Sequence, residues 1–206
     1  FYHAKLKECD AKIEEHLREK SGVDTFVEPQ KKEKSNKNNL NFNGKEMLYE
    51  LTGTDLAEIF GITETNAIEI ISEVGLDMSK WPTVKHFTSW LNLAPNNKIS
   101  GGKVLSSRIP KKKNHAGQIF RMAAFAIQRS KNWLAMFYNR IKAKNGAPKA
   151  IVATARKIAA IFYKMIKERV KFNPIPIEKY MDGFKENQIK KLKRQAKNLG
   201  LQIVEM

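Results

Sequence analysis

Ser100-Gly101-Gly102-Lys103 is the stretch whose residue types offer chemistry. A hydroxyl precedes two residues without a Cβ, whose backbone freedom would let a bulky scissile phosphate approach closely. Around it, NLAPNNKISGGKVLSSRIPKKKNH (92–115) carries five lysines and an arginine and not one carboxylate. Lys103, Arg108, Lys111, Lys112 and Lys113 could neutralise that phosphate and stabilise charge at an attacked phosphorus. On spacing alone, a flexible glycine turn accounts for the same residues.

Charge extends this beyond the loop. The 206 residues hold 38 Lys+Arg against 21 Asp+Glu, a formal net charge of +17, which predicts an anionic partner, with nucleic acid the default. Between Asp77 and Glu168 there is no acidic residue, and the interval carries nineteen Lys and Arg. A solvated surface mixes both signs, so a run of one sign argues for a face laid against a polyanion. The same gap excludes two-metal phosphoryl chemistry from the basic half, because clustered carboxylates are needed to hold Mg²⁺. A phosphodiester cut here calls for a side-chain nucleophile.

Arg121 and Arg156 lie in apolar surroundings, IFRMAAFAI and AIVATARKIAAIF. A guanidinium near a core requires an acceptor, either an acid such as Glu69 or Glu73 or a phosphate. Trp133, Phe137, Tyr138, Phe162 and Tyr163 recur at helical spacing and read as core rather than as base-stacking platforms. Four scattered histidines and the single Cys9 have no metal-ligand spacing, so no metal is expected in this chain. One cysteine implies a reduced, cytoplasmic protein. No apolar run approaches a membrane span.

These residues need a frame, and the pattern is mainly α. Residues 1–20 place Leu6, Cys9, Ile13 and Leu17 three or four apart, as in the end of a coiled-coil helix. Residues 21–44 are rich in Lys and Asn and read as a flexible linker. Residues 45–172 form the helical domain. It begins with EMLYEL, DLAEIF, a Gly61-Ile62-Thr63 turn and ETNAIEIISEV, with Thr63 as cap and Gly75 as stop. A Gly-joined helix pair resembles a helix-hairpin-helix, whose turn amides, Gly61 included, can face a phosphate; a plain helical hairpin fits equally. A short helix over 83–91, the basic Gly-containing loop and three helices near 115–130, 132–144 and 148–170 follow. Residues 173–206 form a basic tail with a Lys-rich helix ending near Gly200. The chain opens inside a helix and without Met, as expected of a piece of a longer protein.

Taken in order, GITETNAIEIISEVGLDMSKWPTVKHFTSWLNLAPNNKISGGK, RIPKKKNHAGQIFRMAAFAI and AMFYNRIKAKNGAPKAIVATARKIAAIFYKMI resemble the C-terminal domain of the insertion-sequence one-ten family of transposases, related to Piv-type DNA invertases. The likeness covers most of residues 45–206. It implies a recombinase in which Ser100 is the nucleophile and forms a phosphoserine link to DNA. It further implies an N-terminal RuvC-like domain bearing acidic residues and Mg²⁺, from the same or another protomer, a structured guide RNA that selects target and donor DNA, and a dimer or tetramer acting at the nucleoid. Without the acidic domain, residues 1–206 are not expected to recombine DNA.

Two other readings fit the residues. One is a non-catalytic helix-hairpin-helix binding module. The other is a tyrosine-type recombinase using Tyr138 or Tyr163 with Arg121, Arg156 and His115.

Overall fold

Nine buried residues of the helix Ala147–Glu168 (α7), among them Ala155, Ile158, Ala159 and Phe162, recur every three or four positions and make one apolar face on which the domain is assembled. In the computed structural model, which describes residues 2–21, 40, 42–109 and 114–201, that face receives Val84–Trp90 (α4), His115–Ala126 (α5) and Trp133–Asn145 (α6). On α5 the buried residues are mostly small, Ala116, Gly117, Ala123 and Ala124, with Ile119 and Phe120 between them. Small side chains on both helices let the backbones come close, and the gap is filled edge-on by Phe120 against Phe162, 5.4 Å between ring centroids.

Before α4 the chain forms Tyr2–Ser21 (α1), Gly44–Thr52 (α2) and Glu64–Val74 (α3), and it ends in Ile177–Asn198 (α8). The local signals act where expected. The Thr63 hydroxyl accepts from Asn66 N at the start of α3, and Gly75, at φ 79°, stops that helix. Gly146 at φ 84° closes α6, and Pro148 lies in the first turn of α7. Asn114 and Asn132 cap α5 and α6 with their side-chain oxygens.

Two elements differ from expectation. DLAEIF is a single 3-10 turn over Leu56–Glu58 rather than a helix, so the Gly61 turn joins a 3-10 turn to α3. Gly53, left-handed at φ 71°, ends α2, and Asp55 takes Ala57 N with its carboxylate; too few residues remain before Gly61 to offset the cost of helix nucleation. The basic loop holds an antiparallel hairpin, Lys98–Ser100 (β1) and Lys103–Ser106 (β2). Its side chains face solvent on both sides, so no alternation of apolar and polar residues announces it. The sequence expectations for residues 22–39, and Lys111 to Lys113, lie outside the described residues.

Helix α1 packs beside α2, with Leu17 half-buried and Leu6 and Ile13 exposed. Helix α8 buries no residue and meets the body through Tyr180, whose ring centroid is 5.8 Å from that of Trp133.

Gly117 measures the closeness of the core. A Cβ there would collide with the carbonyl oxygen of Leu91, which is backbone and cannot swing away. Gly117→Ala should lower unfolding free energy by about 1–3 kcal/mol, read by urea denaturation. Gly183→Ala in α8, where a Cβ meets nothing within 4 Å, should leave the midpoint equal or higher.

Candidate functional site

The hairpin turns at Gly101 and Gly102, with φ of 54° and 74°. Ser100 pairs with Lys103 across them, which is a two-residue loop with both central residues left-handed. This geometry explains two consecutive glycines: a Cβ on either would touch nothing within 4 Å, so the requirement is one of backbone angle and not of space. Ser100, Gly101, Gly102 and Lys103 are therefore gathered at an exposed tip. Among the described residues no hydrogen bond reaches the Ser100 hydroxyl. A neutral serine hydroxyl is a weak nucleophile without a base or metal beside it.

The base of the hairpin is anchored from both sides. Leaving α4, the chain turns at Asn92, a buried non-glycine residue with φ 55°. Leu93 N donates to Thr88 O at 2.9 Å, and Asn96 N donates to Arg108 O at 3.0 Å, closing the loop on itself. On the return side, Asn114 Nδ2 donates to Trp90 O at 3.4 Å while its Oδ1 accepts from Gly117 N. Glu73 of α3 accepts from Ala116 N, placing a carboxylate at the positive end of α5.

Arg121 belongs to this base. Its Nη2 donates to Asn92 O at 2.8 Å, so the acceptor is a backbone carbonyl, and Glu73 is engaged at the α5 N-terminus instead. Burial pulls the Arg121 guanidinium below its ordinary pKa. One nitrogen of the guanidinium thus holds the left-handed turn from which the hairpin departs. Arg108 is exposed near the foot of the hairpin, its N–H donating to Ser106 Oγ at 3.4 Å.

Other predicted residues lie elsewhere. Gly61, at φ 84°, abuts the C-terminal part of α5, where a Cβ would come within 2.7 Å of Ala123 O and of Ile127 Cγ2. That close packing gives Gly61 a structural reason. Arg156 is half-buried on α7. Tyr138 and Tyr163 are 1% and 4% exposed, and the Tyr163 hydroxyl donates to Trp81 O and accepts from Lys167 Nζ, both at 2.7 Å. They are packing residues, as their spacing predicts. Sequence reasoning passed over Arg140 and Lys157, which the fold brings onto one ring.

Residues 53–139 match the family described as Transposase IS116/IS110/IS902 family. This segment is a transposase domain of that family. No curated protein matches the chain. The matched span runs from the end of α2 through the hairpin and α5 into α6, and so contains Ser100, Lys103, Arg108 and Arg121. A transposase domain acts on DNA, in keeping with the charge. Among the described residues no helix is long and apolar enough to cross a membrane.

The turn geometry carries its own expectation. Gly102→Val places a β-branched residue at φ 74°, which costs about 1–2 kcal/mol locally. Hydrogen exchange at the Lys103 amide, which faces Ser100 O across the turn, should accelerate while the global unfolding midpoint stays constant, because the hairpin contributes nothing to the core.

Proposed function

We propose that this transposase domain supplies Ser100 as the nucleophile for DNA strand cleavage and exchange. The observation that carries the reading is the placement of Ser100 at an exposed two-glycine tip beside Lys103, on a hairpin whose base is anchored to α4 and α5. In the step, Ser100 Oγ bonds to phosphorus as the bond from phosphorus to a deoxyribose oxygen breaks. The hydroxyl proton is lost to a base, and the released sugar oxygen takes up a proton. One phosphoester bond forms for each one broken, so the link stays ready for rejoining to another sugar hydroxyl.

Lys103 and Arg108, with Lys111, Lys112 and Lys113, balance charge on the attacked phosphate, and Gly101 and Gly102 leave room for it. Arg121 positions the hairpin through Asn92, and Gly61 and Arg156 are candidates for contact with the nucleic-acid backbone. Activation of Ser100 comes from outside these side chains: an acidic RuvC-like domain with Mg²⁺, from the same or a second protomer. A structured guide RNA selects the DNA, and α1, with Leu6 and Ile13 exposed, joins protomers into a dimer or tetramer.

Covalent trapping tests this. The full-length transposase, with Mg²⁺, its flanking noncoding RNA and labelled target and donor DNA, should give a denaturation-resistant protein–DNA adduct. Ser100→Ala should abolish the adduct and preserve DNA binding, while Tyr138→Phe and Tyr163→Phe should keep it. An adduct that survives Ser100→Ala and is lost in a tyrosine variant would move the chemistry to that tyrosine. Failure of a wild type that binds the DNA to exchange strands or form any adduct would leave a binding module.

A further inference from the structure

Where α6, α7 and α8 meet, two cations share one aromatic ring. The Arg140 guanidinium carbon lies 5.4 Å and Lys157 Nζ 4.8 Å from the centroid of Phe137. Arg140 also covers Phe184 at 4.6 Å and Tyr180 at 5.6 Å, and Lys157 stands 5.7 Å from the Trp133 centroid. Both cations are half-buried. No carboxylate among the described residues pairs with either. Burial, and the neighbouring charge of Arg140, push the Lys157 ammonium below its ordinary pKa.

Holding two like charges together in a half-buried place opposes folding, and aromatic faces offset that only in part. The same rings carry two buried polar atoms, Trp133 Nε1 and Tyr180 Oη, with no hydrogen-bond partner. Costly features concentrated in one place, with the sign of charge unbalanced, mark a site for an anion. We propose that Arg140 and Lys157, held over Phe137, Trp133 and Phe184 at the α6–α7–α8 junction, bind a backbone phosphate of nucleic acid.

A phosphate fits better than a protein carboxylate. The helices that carry the pair lie in the long acid-free interval, and exposed Lys144, one turn beyond Arg140, extends the positive track along α6. A continuous strand of phosphates suits such a track. The site lies outside the hairpin, and Lys157, Tyr180 and Phe184 fall beyond the matched segment 53–139. It rests on the reading of the domain as a nucleic-acid binder, and not on Ser100 as nucleophile.

The test measures equilibrium binding of a labelled mixed-sequence DNA duplex to the full chain over a series of salt concentrations. Lys157→Met keeps the side-chain length and packing, and Arg140→Gln keeps a polar end. Each should weaken binding by about tenfold, and the slope of log K against log salt should fall by about 0.9 for each phosphate that is no longer neutralised. The thermal midpoint of Lys157→Met should equal or exceed that of the wild type, because a half-buried charge beside Arg140 is removed. A cation held only for structure would instead lower the midpoint and leave affinity and slope unchanged, which overturns the proposal. Unchanged DNA affinity with loss of self-association would assign the pair to a carboxylate of another polypeptide and overturns it equally. If DNA binding by the wild type is absent at low salt, the nucleic-acid reading itself fails; loss of the Ser100 adduct alone leaves this site untouched.

Discussion

The close approach of α5 to α7 is the constraint on which the rest of the domain depends. Ala116, Ala123 and Ala124 on one helix and Ala155 and Ala159 on the other keep the contact thin. Each is fully or almost fully buried, so their stabilising contribution is close packing and not large apolar area. With α5 set in place, its first turn can meet Glu73, Trp90 O and Leu91, and Arg121 can reach Asn92 O. The anchors of the hairpin are therefore consequences of core packing.

This arrangement separates the exposure of the hairpin tip from its placement. The tip is exposed and free of side-chain crowding at Gly101 and Gly102. Its place is not fixed by the tip itself, because the hairpin has no buried face. Hydrogen bonds to backbone carbonyls at its base supply that placement without adding acidic groups to the basic surface. Of the nearby acids, Glu73 is engaged by the amide of Ala116, where it complements the positive end of α5. Local positive potential along residues 78–167 is thereby kept intact.

Aromatic residues divide the same labour at the other end of the fold. Phe87, Phe120, Phe162 and Tyr163 fill the core, and Trp81 packs on Phe87 at 5.1 Å. Phe137, Tyr180 and Phe184 lie at its margin and hold cations on their faces. A ring at the edge of a core can desolvate one side of a charged group and leave the other open to an approaching anion.

Much of the fold was legible in the sequence because it is written in local chemistry. Thr63 and Gly75 bounding α3, Asn145-Gly146 before α7 and the three-four spacing of Ala155, Ile158, Ala159 and Phe162 each act through neighbours a turn away. Those signals determined the long helices and the inward placing of Tyr138 and Tyr163. The excess of Lys and Arg pointed to a polyanionic partner, and the SGGK turn singled out Ser100 as a candidate. Tertiary structure alone decided the rest. Short strands exposed on both faces leave no periodic trace, so β1 and β2 emerge only when Ser100 is brought opposite Lys103. Arg121 could have met an acid or a phosphate; its partner is the carbonyl of Asn92, 29 positions away, a choice set by the α4–α5 junction. Arg140 and Lys157, on different helices, share Phe137 because α6 and α7 pack side by side. Local preferences act within a turn of chain, whereas such pairings depend on distances that exist only after the helices have docked.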